Sequence, residues 1–369
     1  MDKTKIKKFI DIHIPVTACN LECSYCYVAH DHMRNTKPTP FKYSAKEIGQ
    51  ALTAERLGGI CHINMCGLGE TLIPPQVVDI TRELLSNGHY IFIVTNGTLT
   101  KRFEEFSEFP DDYKKRLGFK FSFHYLEFKK KKLLETFYHN VELARKSGCS
   151  ISVEMTPDDE LEPYIDEIKE ECLKHFGAYC HVTIPRDVTQ PGFKLQSKHS
   201  MEEFKKIWGT FESDMFDFKM STWEQKRHEY CYAGAWSGLL NIGNGQLTAC
   251  YGSKIVQNIF DDPTKPIDFI AVGKGCTLEH CYNGHSLLAL GVIPSINWCR
   301  YSAERDRINR NDGTHWLTDE MRAFLSGRLE DDNKPFTTKE KWINAAKAMR
   351  VESLYYFEKI EKKIENQKE

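Results

Sequence analysis

Apolar and polar segments alternate along the first half of the chain in a way that predicts six short strands with helices between them. FIDIHIPV over Phe9–Val16 is rich in β-branched residues and reads as the first strand. Ser44 with Glu47 three residues on is a capping-box signature for a helix from about Ala45 to Leu57. Ile60–Met65 is the second strand, and Pro74-Pro75 opens a helix that runs through Asn87 to a Gly88 C-cap. Tyr90–Val94 and Phe119–Tyr125 are the third and fourth strands, and Lys129–Lys146 is a long amphipathic helix closed by Gly148. Ser150–Thr156 is the fifth strand, Glu160–Phe176 its helix, and Tyr179–Ile184 the sixth strand. Strands and helices joined by short loops predict a parallel sheet with right-handed crossovers. Such a sheet curls into a full or partial (β/α)6 barrel with chemistry at the C-terminal strand ends, although a doubly wound open sheet fits the same pattern.

After Asp187 the rhythm changes. A polar connector over 188–200 leads to a helix over Met201–Phe218. Leu239–Ile242 and Gln246–Ala249 flank Gly243-Asn244-Gly245 and predict a β-hairpin with a tight turn. Thr318-Asp319-Glu320-Met321 marks a helix start, and a charged helix runs from about Thr338 to the end. Leu354, Tyr355, Phe357 and Ile360 make that last helix amphipathic, suited to docking on the barrel or on a partner. The expected division is a core over residues 1–190, a second region over 191–310 and a helical tail over 311–369.

Composition narrows the function classes. The chain has 369 residues, 41% hydrophobic and 28% charged, as in an ordinary globular protein. Fifty basic against 52 acidic residues give a net charge of −2, so no global electrostatic case exists for nucleic acid or membrane as partners. The basic N-terminus is followed by an apolar run that Asp11 and His13 interrupt, unlike a signal peptide, and no stretch is long enough to span a bilayer. Thirteen cysteines without an export signal point to a reducing cytoplasmic setting and to metal ligation.

Three of those cysteines, Cys19, Cys23 and Cys26, follow the first strand with the spacing C-x3-C-x2-C. Three thiolates on one loop hold three corners of a [4Fe–4S] cluster and leave the fourth iron open. A zinc site completed by His30 or His32, or a disulfide cluster, fits the same residues. With Tyr27 after the third cysteine, the motif resembles the signature of the radical S-adenosylmethionine (SAM) enzymes. The resemblance implies that SAM chelates the open iron through its amino and carboxylate groups, and that Tyr27 stacks on or hydrogen-bonds its adenine. It implies one-electron cleavage of SAM to methionine and a 5′-deoxyadenosyl radical, which abstracts hydrogen from a C–H bond. An electron donor such as flavodoxin or ferredoxin is implied with it.

Further candidates sit at the strand ends. Gly67-Leu68-Gly69-Glu70 resembles the family's glycine-glycine-glutamate element for the SAM ammonium, although a simple strand-to-helix turn reads the same way. Thr95 and Asn96 match a position for the SAM carboxylate or ribose, or else form a turn closed by Asn-Gly. Ser122 and His124 share one face of the fourth strand and are candidates for the SAM ribose or carboxylate, His124 being equally suited to a structural place. Cys66, Glu154, Arg186 and His285 are the catalytic candidates: Cys66 ends the second strand near the expected SAM site, Glu154 and Arg186 end the fifth and sixth where either can face SAM or substrate, and His285 reaches a substrate or else is an ordinary loop histidine. Cys61, Cys149, Cys172 and Cys180 read as core residues.

A second set of cysteines brackets the hairpin. Cys231 and Cys250 stand at its two ends, and C-x-A-G at Cys231 with G-x4-C ending at Cys250 resembles the start of the SPASM and twitch extensions. The resemblance implies an auxiliary [4Fe–4S] cluster, with Cys276 and Cys281 as the other ligands and Cys299 as a substitute for Cys276. The block C-x2-C-x5-C-x3-C of the full SPASM pattern is absent, so one auxiliary cluster is expected. Four cysteines of this spacing suit a structural zinc equally. Resembling families modify peptides, mature sulfatases, or oxidise or epimerise sugars and aminocyclitols. A peptide substrate is the first expectation, a carbohydrate the second, and a non-enzymatic zinc or iron–sulfur scaffold the third.

Overall fold

The computed structural model describes residues 5–30, 34, 40–190, 192–251, 253 and 255–365. His32 lies outside them, as do the side chains of His30, Phe357 and Ile360. Strands β1 (Lys8–Ile14), β2 (Cys61–Gly67), β3 (Tyr90–Thr95), β4 (Leu117–Ser122), β5 (Ser150–Met155) and β6 (His181–Val182) are parallel neighbours in chain order. This is the partial barrel that the strand–helix alternation predicts. A small antiparallel pair, β7 (Arg186–Asp187) and β8 (Lys194–Leu195), stands apart from it. The hairpin forms as expected from β9 (Ser237–Asn241) and β10 (Gln246–Thr248), and β11 (Ile255–Asn258) extends it. Its placement is new: β9 lies parallel against β1, making one nine-stranded sheet.

Several helices are shorter than their patterns suggested, each for a local reason. The helix expected over Ala45–Leu57 is two, Ala45–Ala51 and Ala54–Leu57, because Thr53 caps a fresh start through Arg56 N. The one expected over Lys129–Lys146 is Tyr125–Lys131 and Leu134–Lys146, broken where Lys132 turns left-handed at φ 56°. Pro163 confines the start of the next to a 3₁₀ turn before Ile165–Phe176. Met201–Phe218 likewise divides into Met201–Trp208 and Asp214–Thr222, the second capped by Ser213. The C-terminal helix runs Thr338–Glu365. Among the described residues no helix is long and apolar enough to cross a membrane.

Strand alternation divides the sheet into two unlike faces. Ile10, Ile12, Ile63, Met65, Ile93, Phe119 and Val153 bury one face against helix residues such as Ile80, Leu84, Phe103 and Val141. Phe9, Asp11, His62, Asn64, Cys66, Lys120, Ser122 and Glu154 alternate onto the other, concave face. Its lower end is closed by aromatic packing. His62 stacks on Phe9 at 5.4 Å and meets Phe92 and Tyr301 at 5.8 and 5.2 Å, while Phe324 stacks on Tyr90 at 3.7 Å. The polar residues above this floor, at the C-terminal strand ends, define the site.

Candidate active site

The cysteine loop is held from beneath by the exit of β2. Gly69 N donates to Val16 O at 2.8 Å and Glu70 N to Ala18 O at 2.9 Å. A Cβ on Gly69 would stand 2.0 Å from the Ala18 carbonyl oxygen, and one on Gly67 2.5 Å from Val16 Cγ1. Only glycine permits that approach. The buried Glu70 carboxylate accepts from Leu72 N at 2.9 Å, Thr95 Oγ1 at 2.7 Å and Asn96 N at 2.7 Å, tying the ends of β2 and β3 together. Asn96 Nδ2 in turn donates to Asn20 Oδ1 at 2.8 Å and to Cys19 Sγ at 3.9 Å, and Asn20 Nδ2 donates to Thr98 Oγ1 at 2.7 Å. Glu70, Thr95 and Asn96 therefore spend most of their hydrogen bonds on one another and on the loop. His124 Nδ1 meets the Tyr25 hydroxyl at 2.6 Å, and burial lowers its pKa to about 4, so a neutral ring props the loop from the β4 side. Asn20, Tyr25 and Thr98 are site residues that the sequence motifs did not single out.

The donor set suits an iron–sulfur cluster. Cys19, Cys23 and Cys26 are free and half-buried. Leu21 N donates to Cys19 Sγ at 3.5 Å and Arg34 to Cys26 Sγ at 3.9 Å, while burial raises Cys19 against the pull of the Leu21 bond. Burial and then the neighbouring Cys19 and Cys26 thiols push Cys23 up to about 12. Three thiolates share this loop only when a cationic centre offsets their charge, which is what a cluster's irons supply. A cubane takes each of the three thiolates on a separate iron.

Above the aromatic floor the concave face carries a charged layer. Asp11 accepts from Asn64 at 2.8 Å, Tyr251 at 3.1 Å and Asn283 at 3.1 Å. Lys120 donates to Asn64 Oδ1 at 2.7 Å, and Arg305 donates to Glu154 Oε2 at 2.6 Å. Burial raises Glu154, but Arg305 and Lys120 more than offset it and leave the carboxyl below its usual range. Lys219 reaches Thr183 Oγ1, and burial with Arg186 nearby lowers its pKa to about 7. Cys66, at the top of β2, lies within electrostatic reach of Asp11, Lys120 and Glu154, and Tyr27 within reach of Cys66 and Arg186. His285 is held well below its ordinary value by burial and by Lys219, Arg305, Lys120 and Arg186. The four catalytic candidates, Cys66, Glu154, Arg186 and His285, thus gather in one cluster beside Tyr27. Ser122 sits one pleat above Lys120, opposite Glu154. Asp11 and Lys120 carried a readable signal, a charge on an otherwise apolar alternating strand. Lys219, Glu304 and Arg305 arrive from distant helices and carried none.

Glu154 is a partner of Arg305 before it is anything else, and replacing it leaves buried cations uncompensated. Glu154→Leu is expected to cost about 3–5 kcal/mol, read as a lowered urea midpoint at unchanged slope. A change within about 0.5 kcal/mol would show the ion pair to be dispensable. Because Glu154 is depressed, its contribution is present above the ordinary carboxylate range and is lost as pH falls through the folded value.

The second cysteine set also comes together. Cys250 lies within electrostatic reach of Cys231 and Cys276, and Cys281 of all three. All four line one cavity of about 760 Å³, with Ile270, Val272 and Leu287 among its apolar walls. Trp342 and Met349 of the C-terminal helix line its open side, and Asn344 docks that helix by exchanging two hydrogen bonds with the Ala271 backbone, at 2.8 and 2.9 Å. The volume admits a whole cofactor. Cys299 stands elsewhere: its thiol donates to Glu304 Oε1 at 3.4 Å, and burial and that carboxylate push it up.

Comparison with known proteins agrees with this geometry. The Radical SAM superfamily description matches residues 13–170. Streptococcus suis SuiB aligns over 70% of this chain and 64% of its own, at 14% identity and a TM-score of 0.48. AnSMEcpe with bound AdoMet aligns over 93% of this chain and 98% of its own, at 13% identity and a TM-score of 0.52. Native anSMEcpe with bound AdoMet and Cp18Cys peptide aligns over 88% and 96%, at 12% identity and a TM-score of 0.50. The match to SuiB thus spans less than two thirds of that protein's length. No curated protein matches the chain. The fold is shared with anSMEcpe, and the cysteines Cys19, Cys23 and Cys26 lie inside the span that the Radical SAM superfamily description matches.

Proposed function

We propose that this chain binds SAM at the open iron of a [4Fe–4S] cluster on Cys19, Cys23 and Cys26, and uses it to take a hydrogen atom from a C–H bond of a peptide substrate. An auxiliary [4Fe–4S] cluster on Cys231, Cys250, Cys276 and Cys281 assists electron transfer, and a donor such as flavodoxin or ferredoxin reduces the enzyme. The observation that carries the reading is the position of the charged concave layer between the two cysteine sets. Asp11 lies within electrostatic reach of both Tyr27 and Cys250, and Arg186 and Cys281 border a common void. When bound, the cluster and SAM together supply the electron transfer that breaks the C5′–S bond and yields the hydrogen-abstracting 5′-deoxyadenosyl radical. The chain's own work is positioning and exclusion. Gly69 and Asn96 set the loop, Tyr27 offers a ring that is 39% exposed for the adenine, and the aromatic floor seals the concave face from below. A peptide is favoured because anSMEcpe, of the same fold, has a structure with bound AdoMet and a peptide. The polar lining from Asn64, Lys120 and Arg186 also suits a sugar or aminocyclitol, the second reading.

Anaerobic reconstitution with iron and sulfide tests this. About eight irons per chain and cleavage of SAM to 5′-deoxyadenosine on reduction are expected. The Cys19, Cys23 and Cys26 triple alanine variant is expected to lose cleavage and about half of the iron. Colourless, zinc-filled protein that leaves SAM intact would sink the proposal.

A further inference from the structure

We propose that Arg186 and Lys219 form a carboxylate-binding pair that anchors an acid group of the substrate inside the concave face, between the SAM loop and the auxiliary cysteines. This rests on the function proposed above and names the chemistry of the substrate's anchoring group.

The argument is one of charge. Four basic side chains, Lys120, Arg186, Lys219 and Arg305, meet in this layer. Lys219, on the helix Asp214–Thr222, is faced by Arg186, by Glu154 from β5, by Arg305 and Glu304 from the helix Tyr301–Arg305, and by His285 from the helix Gly284–Leu287. The acids do not balance them. Asp11 is committed to Asn64, Tyr251 and Asn283, and Glu154 to Arg305. Burial raises Glu304 to about 8, against the pull of Arg305, so its carboxyl is largely protonated at neutral pH. His285 is neutral. Among the described residues the acids of this layer are thus engaged elsewhere, Glu304 accepting from the Cys299 thiol, and a buried basic group without a counter-charge is costly. An anion arriving with the substrate offsets that cost.

Geometry selects the pair within the four. Arg305 is fully buried over the Tyr301 ring and held by Glu154, and Lys120 lies over Phe92 and Tyr301 and donates to Asn64, so both are already engaged. Arg186 is only half-buried, and among the described residues its side chain makes one hydrogen bond, from Nη1 to Tyr282 O at 2.9 Å, which leaves most of its fork of donors for a ligand. Lys219 donates to Thr183 and has two further protons. Both side chains border one void of about 10 Å³ with Cys281 and Tyr282, which sets them side by side; the void holds no more than a water, so a carboxylate reaches the pair from the exposed side of Arg186. A planar carboxylate matches the guanidinium fork in two parallel hydrogen bonds, with the ammonium as a point charge beside it.

The test is equilibrium binding to the anaerobically reconstituted full chain at saturating SAM. The probes are N-acetylglycine, its uncharged analogue N-acetylglycinamide, and inorganic phosphate. N-acetylglycine is expected to bind at least tenfold more tightly than either of the others. Arg186→Gln and Lys219→Met are each expected to lower that affinity about tenfold, and Lys219→Arg to restore most of it. Equal binding of the amide, tighter binding of phosphate, displacement of N-acetylglycine by SAM, or undiminished binding in both neutral variants would overturn the proposal. The wild-type comparison and Lys219→Arg decide the matter even where a neutral variant does not fold. Binding is read separately from SAM cleavage, so failure of cleavage with this selectivity intact falls on the proposed reaction and not on the pair.

Discussion

Replacing Gly69 by alanine is expected to give a folded protein that neither holds the first cluster nor cleaves SAM. A Cβ at this position would stand 2.0 Å from Ala18 O and 2.6 Å from the carbonyl carbons of Thr17 and Ala18. These are backbone atoms that cannot rotate aside, so the loop must move. The same shift breaks the bonds from Gly69 N to Val16 O and from Glu70 N to Ala18 O, which fix where Cys19 begins. Overpacking of this kind costs about 1–3 kcal/mol, which a domain of this size tolerates. Misplacing a reacting group by about 1 Å costs on the order of 10²-fold or more in rate. The variant should therefore lose about four irons per chain and at least about 10²-fold in 5′-deoxyadenosine formation. Gly209→Ala is the control, because nothing stands within 4 Å of a Cβ there and its φ of −61° suits any residue. Cleavage by Gly69→Ala at the level of that control would refute the role given to the glycine.

The contrast between these glycines also marks what could be read from the chain. Strands were legible because β-branched residues cluster in short runs, and β3 and β5 fall within a residue of their expected ends. The cysteine loop and the glycine element were legible because their spacing is local. Helix breaks at Thr53 and Lys132 were hidden, since an amphipathic period continues across both while a cap or one left-handed residue interrupts the backbone. The pairing of β9 with β1 joins residues more than two hundred apart, and no local pattern encodes it. The same distance hid Arg305, whose sequence surroundings look like an ordinary exposed helix although it lies fully buried beneath the charged layer. Glu70 shows the opposite case. Its motif marked it as a SAM contact, yet its carboxylate accepts three protein donors and acts first as a strut between β2 and β3.

Cys281→Ala is expected to remove the auxiliary cluster while leaving SAM cleavage in place, and Cys299→Ala is expected to leave both. The sequence offered Cys299 as a substitute for Cys276, but the two lie in different surroundings. Cys276 lines the 760 Å³ cavity with Cys231, Cys250 and Cys281, whereas the Cys299 thiol is engaged by Glu304. Burial and its three thiol neighbours raise Cys281 well above the ordinary range, so its thiolate forms only with a bound cation beside it. Losing one of four thiolates should release about four irons per chain and lower the broad cluster absorbance by about half. The first loop, built from β1, β2 and β3, does not depend on that cavity, so substrate-free formation of 5′-deoxyadenosine should stay within about threefold of the unmodified protein, while conversion of a substrate that needs the auxiliary centre should fall at least about 10²-fold. Iron counting decides the ligand set. If Cys299→Ala loses the second cluster and Cys281→Ala keeps it, the cavity is not the auxiliary site. If Cys281→Ala loses all of its iron, the two centres do not assemble independently, and the division of the site into a SAM loop and a separate cavity fails with them.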